Sequence, residues 1–147
     1  QRIVELARYI SKRYELETGR RISISSLANY TGLILQAYLR YLPFIVQILI
    51  GGYDNEPRLY YLDLLGNITS EKYMATGSGS PIALGVLERE YREDLDLETA
   101  VELAAKAVYT AIQRDGFSGE GVDVVIIGPN IYREETYLLK KDLVLKT

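Results

Sequence analysis

The sequence predicts an α+β fold, with helices and strands segregated into blocks. Three observations carry that expectation. Apolar residues recur at helical spacing through the first forty or so positions, three strand-like runs then follow with only turn residues between them, and a second pair of helical patterns precedes two more strand-like runs. Blocks of this kind build layered helices and antiparallel sheets, whereas βαβ alternation builds a parallel sheet. With 147 residues, 48% of them hydrophobic, the chain is long enough to bury a real core, and residues 1–147 are expected to form one domain.

Ile3, Leu6, Ala7, Ile10 and Tyr14 share one helical face, and Gly19 stands where a helix end favours a left-handed residue, so a helix is predicted over residues 1–18. After "GRR", Ser23 or Ser25 can cap a second helix. Its apolar face includes Leu27, Ala28, Ile34, Leu35, Tyr38 and Leu39, and Pro43 stops it. The short link makes the two helices an antiparallel pair. The runs "FIVQILIGG" (44–52), "RLYYLDLLG" (58–66) and "ITSEKYMATG" (68–77) are separated by "YDNEP" and by a tight "GN" pair at 66 and 67, which predicts an antiparallel meander. The first run is apolar on both faces apart from Gln47, so this sheet should be covered on at least one side.

"GSGSP" then leads into a third helix with Ser80 as its N-cap and Pro81 at its first position, running to about Tyr91. Asp96 caps a fourth, whose broad apolar face holds Ala100, Val101, Leu103, Ala104, Ala107, Val108, Ala111 and Ile112. Glu98, Glu102 and Lys106 follow one another at i, i+4 spacing on what should be a solvated face. Strand "VDVVIIG" comes next, then a partner strand around Ile131 to Tyr137 and a Lys-bearing tail.

Composition removes whole classes of chemistry. The net charge is −3 with acidic and basic residues interspersed, so no basic stripe is available for a nucleic acid backbone. Cysteine and histidine are absent, which excludes disulfides, a thiolate nucleophile, Cys-ligated zinc and the usual general base. Any catalysis must use hydroxyl, carboxylate or amine groups, and no cofactor or metal is expected. The longest apolar stretch, "LPFIVQILIGG", is too short to cross a bilayer, and with no signal-peptide pattern the expectation is a cytoplasmic protein without a membrane partner. The chain opens directly on "QRIVELARYI", an amphipathic helix without an N-cap, as a fragment would. Thirteen Tyr, one Met and no Cys hint at a thermophilic source.

Two glycine-rich loops invite a phosphate-binding reading. A P-loop needs strand, then glycine loop with Lys before Ser or Thr, then helix. "RDGFSGEG" has the order reversed: it leaves a helix C-terminus, whose partial negative charge repels phosphate, and a glycine C-cap explains it as well. "ATGSGSP" runs into a helix N-terminus but lacks the Lys and carries a Pro, so a tight strand-to-helix corner is the competing reading.

Taken together, "YLPFIVQILIGG", "GGYD", "YYLDLLG", "ATGSGS", "GVLE" and "RDGFSGEGVDVVII" resemble, over nearly the whole length, a proteasome core particle β subunit of archaeal type, a member of the N-terminal-nucleophile hydrolases. The resemblance implies a four-layer α-β-β-α sandwich, here without its first strands. It also implies a seven-membered ring of β subunits stacked against α-ring subunits, unfolded polypeptide as substrate and a regulatory ATPase acting indirectly. In that family an N-terminal Thr attacks the peptide carbonyl, tuned by a Lys; neither matches a position of this chain. Ser78, Asp115 and Ser118 match the family's supporting serine, acid and second serine, and Gln1 matches a position lining the substrate pocket. With no His, the implied base is the α-amino group of the Thr itself, whose pKa lies near neutrality. Gly116 and Phe117 depart from the family's usual small residues in this loop. The alternative is a non-catalytic structural subunit of the same ring; a nucleotide-binding protein is disfavoured by the loop order.

Overall fold

The computed structural model describes residues 2–39, 41, 46–114, 121–140 and 143–146. The chain divides into two compact units, Gln1–Lys72 and Tyr73–Thr147.

The first unit contains helices α1 (Arg2–Thr18) and α2 (Ile24–Tyr38) and strands β1 (Ile48–Tyr53), β2 (Pro57–Leu62) and β3 (Ile68–Ser70). The strands pair antiparallel in the order β1-β2-β3, the expected meander. Gly19 follows α1 with φ +69 and donates its N–H to the Glu15 carbonyl, so the left-handed helix end lies where the sequence puts it. Of the two cap choices for α2, Ser23 is used: its hydroxyl accepts from the Ser26 amide at 3.1 Å. A second cap comes from far along the chain, because Asp54 in the β1–β2 turn accepts the Ile24 amide at 3.1 Å. The start of α2 is thus tied both locally and to the hairpin beneath it.

Helix α2 lays Ala28 and Leu35 onto Leu62 of β2, and Ile3, Ile48, Ile50, Tyr60 and Ile68 close around them. Thr31, the one polar side chain buried there among the described residues, is satisfied by the Leu27 carbonyl at 2.8 Å. The helix ends at Tyr38, where the Leu39 amide turns back to the Gln36 carbonyl; Pro43 lies outside the described residues. Strand β1 begins later than expected, at Ile48, and continues through both glycines to Tyr53. An apolar groove of about 560 Å³ opens between α1, the start of α2 and β1, walled by Ile3, Ala7, Ile24, Leu27, Ile48 and Ile50. The apolar face of α1 is only half-buried as a result.

The β2–β3 connection differs from the expected two-residue turn. Strand β2 stops at Leu62, and Asp63 organises a wider loop. Its Oδ1 accepts the Leu65 and Asn67 amides, both at 2.9 Å, and its Oδ2 accepts the Asn67 side-chain amide at 2.8 Å. An Asp that bonds its own neighbouring backbone competes with strand pairing, which is why the ladder ends one residue before it. Gly66 turns the loop with φ +81, and β3 extends only to Ser70. Gly66 also meets Gly32 of α2: a Cβ on Gly66 would stand 2.5 Å from the Gly32 carbonyl oxygen, and one on Gly32 would stand 2.9 Å from the Gly66 oxygen.

The second unit contains α3 (Ser80–Glu90), α4 (Leu97–Arg114), β4 (Gly121–Gly128), β5 (Ile131–Lys140) and β6 (Leu143–Lys146). The three strands pair antiparallel in the order β4-β5-β6, so part of the expected tail is a strand. Pro129 and Asn130, the latter at φ +59, form the β4–β5 turn, with Pro fixing one corner and Asn tolerating the left-handed one. Ser80 is the first residue of α3 and not its cap; Gly79 holds the cap position and Pro81 stands in the first turn. Asp96 caps α4 as expected, accepting the Thr99 amide at 2.8 Å.

The apolar face of α4 is placed differently. Val101, Leu103, Ala105, Ala107 and Ala111 are buried, while Ala104 and Val108 are exposed. The helix packs against both α3 and β4, so it buries two stripes and not one broad face. The charged series is exposed as expected, and two of its members also reach neighbouring elements. Glu98 accepts from Arg133 of β5 at 2.9 Å, and Lys106 donates to Glu90 of α3 at 2.6 Å.

Two outcomes follow from this packing. Gly66→Ala should lower stability by about 1–3 kcal/mol in urea denaturation, because the left-handed φ disfavours a Cβ and the Gly32 backbone opposes it. The second concerns acid. Asp54 is held below the usual carboxylate range mainly by the Asn55 and Ile24 amides, Asp63 mainly by the Asn67 side-chain amide, and Asp96 mainly by the Thr99 amide. A depressed folded pKa contributes stability that is fully present above the unfolded value of about 3.9 and is lost as pH falls through the folded one. The melting temperature should therefore fall on acidification below about pH 4, and the slope should be shallower in Asp63→Asn, which keeps an acceptor but has no proton to take up.

Candidate active site

Ser78 lies in the connection that enters α3. Gly77 precedes it with φ +99, and the Gly77 carbonyl accepts the Ser80 amide at 3.0 Å, closing a turn around Ser78 and Gly79. The Gly79 carbonyl then accepts the Ile82 and Ala83 amides, both at 3.1 Å, and starts the helix. Ser78 is exposed on this turn. The expected strand-to-helix corner is longer than the sequence suggested, since β3 ends at Ser70 and residues 71–79 are irregular. Ala75 anchors that stretch by packing into the small core between α3 and α4.

That core orders the other side of the candidate site. Ala83, in the first half of α3, is buried against Ala107 and Ala111, in the last half of α4, with Ile82, Val86 and Leu87 around them. The two helices are therefore antiparallel, and the turn holding Ser78 stands at the same end of the pair as Arg114, the last residue of α4. Asp115 is the next residue in the chain. Asp115, Ser118 and Gln1 lie outside the described residues. No group of three or more His, Cys, Asp or Glu side chains able to hold a metal ion occurs among the described residues. Nor is any helix there long and apolar enough to cross a membrane.

Sequence reasoning missed the residues that hold this helix pair in place. Ala75 carried no signal, being a lone small residue in a loop. Arg133, Glu135 and Tyr137 did carry one, since they alternate along the expected partner strand and so share one of its faces.

The chain matches the family model described as "Proteasome subunit" over residues 1–127. It is 61% identical to proteasome subunit beta 2 of Staphylothermus marinus over 145 residues, covering 98% of this chain and 70% of that protein. It is 62% identical over 144 residues to proteasome subunit beta 2 of Desulfurococcus amylolyticus, covering 97% and 70%. Against proteasome subunit beta 1 of Staphylothermus marinus the identity is 41% over 143 residues, covering 97% and 67%. The chain belongs to the proteasome subunit family. Within it, the chain is a β-type subunit of the archaeal kind, and of the two Staphylothermus marinus subunits it is nearer beta 2.

The two glycines of this region should separate backbone strain from crowding. A Cβ on either Gly77 or Gly85 would meet nothing within 4 Å. Gly77→Ala should nevertheless cost roughly 1–3 kcal/mol, because φ +99 is closed to a side chain, whereas Gly85→Ala in the interior of α3 should gain about 0.5–1 kcal/mol from helix propensity alone. Urea denaturation of the two variants in parallel reads both signs.

Proposed function

We propose that this chain is part of a threonine endopeptidase, the β subunit of a proteasome core particle that cleaves unfolded polypeptides. The nucleophile is the N-terminal Thr of the complete subunit, which matches no position here, with its Lys. Ser78, Asp115 and Ser118 form the supporting set around the Thr α-amino group, and Gln1 contributes to the substrate pocket. The observation that carries this reading is the α3–α4 pair. Its buried alanines make the pair antiparallel, so the Ser78 turn and Arg114 stand at the same end, which supports the reading because Asp115 follows Arg114 in the sequence. A catalytic constellation needs that kind of support, two loops from distant parts of the sequence held by regular structure.

The chemistry is consistent with the composition. With no His or Cys available, the α-amino group accepts the hydroxyl proton of the Thr, and Asp115 orients that group or offsets the charge it gains. Ser78 and Ser118 offer hydroxyls that donate and accept at once, as a proton relay requires. The partners are other β subunits in a seven-membered ring, α-ring subunits, and a regulatory ATPase that delivers substrate without touching this chain. The place of action is the cytoplasm.

The test is peptide hydrolysis by the assembled particle containing the full-length subunit. Asp115→Asn should lower kcat by an order of magnitude or more and leave KM little changed, roughly the cost of losing an orienting electrostatic group. The base works only when neutral, so kcat/KM should rise with pH toward about 8, the ordinary range of an α-amino group. A correctly assembled particle in which Asp115→Asn and Ser78→Ala together leave the rate unchanged would assign this subunit a structural place in the ring.

A further inference from the structure

Ser78 stands between Gly77 and Gly79, the residue type with the most backbone freedom, so the place of its hydroxyl depends on how the chain is held on either side. On the far side α3 begins at Ser80 and fixes it. On the near side the chain is irregular from Glu71 onward, and two side chains tie it down. Ala75 packs into the α3–α4 core, and the Tyr73 ring lies against that of Tyr91, with centroids 4.8 Å apart and planes tilted by 48°. A tilted pair at this distance is a favourable aromatic geometry. Tyr91 is a firm post, because it is the C-cap of α3 and its amide donates to the Leu87 carbonyl at 2.8 Å. Tyr73 is thus fastened at the end of α3, and Ser80 starts the same helix, so residues 73–79 run back along α3 from its end to its beginning. Tyr73 and Ala75, two apart on this run, share the face turned to the helix pair.

The run has little slack. From Ser80 to Tyr91 the helix rises about 16 Å. The steps from Tyr73 to Gly77 span at most about 14 Å, and the turn closed by the Ser80 amide on the Gly77 carbonyl adds less than about 7 Å. A chain this close to full extension passes a shift at one end on to the other. Nor is the turn wedged in place by its surroundings, since a Cβ on Gly77 would meet nothing within 4 Å. We propose that Tyr73, seated on Tyr91, is a positioning residue: it draws the 73–77 run along α3 and so fixes the turn that carries the Ser78 hydroxyl. The proposal rests on the hydrolytic reading above, which gives that hydroxyl a task.

The experiment uses the full-length subunit in the assembled particle, with peptide hydrolysis and amide hydrogen exchange measured on the same samples. Tyr73→Ala should lower kcat by roughly three- to tenfold with KM little changed, less than the ~100-fold that a misplacement of about 1 Å can cost. Exchange of the Ser80 amide, which closes the turn, should rise. Leu103 to Ala111 in α4 should exchange as in the parent, which separates a loosened turn from a loosened core. Tyr73→Phe keeps the ring and should match the parent in both readouts. In a Ser78→Ala particle, which has lost the hydroxyl that the turn places, Tyr73→Ala should lower kcat no further. Should Tyr73→Ala fail to assemble, Tyr73→Leu, which keeps apolar bulk beside Tyr91 but no ring, carries the same two readouts with a smaller loss. Unchanged exchange at Ser80, or losses from the Tyr73 and Ser78 substitutions that multiply as independent effects, would overturn the proposal. Should Ser78→Ala match the parent in rate, it is the hydrolytic role of Ser78 that falls, and exchange at Ser80 still decides whether Tyr73 holds the turn.

Discussion

The second unit depends on the contact between α3 and α4, where Ala83, Ala107 and Ala111 are buried and Ala75, Ile82, Val86 and Leu87 pack around them. Ala83 lies in the first half of α3 and Ala107 and Ala111 in the last half of α4, so the contact aligns the beginning of one helix with the end of the other. Larger residues at the three alanine positions would overfill this core and hold the helices further apart. The second buried stripe of α4, with Val101, Leu103 and Ala105, comes from its packing on β4 as well as α3. Charged pairs at the start and middle of α4, to Arg133 and Glu90, lie at its exposed face and add little to stability.

The first unit meets the same problem with glycine. Where α2 crosses the β2–β3 loop, Gly32 and Gly66 face each other backbone to backbone, closer than any side chain would permit. Here the close contact is locked by the loop itself, since Asp63 gathers two backbone amides and the Asn67 side chain into one rigid turn. The hairpin at the other end of β2 reaches back through Asp54 to cap α2. Helix α2 is therefore held at its start by a carboxylate and along its length by a glycine contact, and the apolar core of Ala28, Leu35 and Leu62 fills the space between.

Much of this was legible in the sequence, and the failures have more than one cause. Helix limits marked by Gly19, Ser23 and Asp96 are set by groups within four residues, so local reasoning finds them. The antiparallel meander follows from the run of turns and needs no tertiary information. What escaped was of two kinds: the two-striped burial of α4 between α3 and β4 is decided by packing between elements, whereas the wide Asp63 loop and the β5–β6 hairpin are local features that the turn residues did not announce. Ser80 was assigned as a cap because Ser-Pro is a strong start signal, yet the flexible backbone of Gly79 took the cap position one residue earlier. At the candidate site, the hydroxyls and the acid were assigned through family resemblance alone; Ala75, which packs into the α3–α4 core, had no motif to announce it.

The residues that mark the family most clearly are mostly not the ones that would do chemistry. "GGYD" ends in the Asp that caps α2, and "YYLDLLG" holds both the Asp that builds the β2–β3 loop and the glycine that meets α2. The glycine of "TGS" turns the chain at φ +99. Each of these meets a backbone requirement that one or two residue types can satisfy, and a subunit needs them whether or not it cleaves a peptide bond. Catalytic competence is a separate layer, since a fold of this kind fixes where its loops begin and end but leaves the polar groups on them free to differ. The same packing can therefore serve a subunit that cleaves peptide bonds and one that only builds the ring, and the proposed hydroxyls and carboxylate are what would tell them apart.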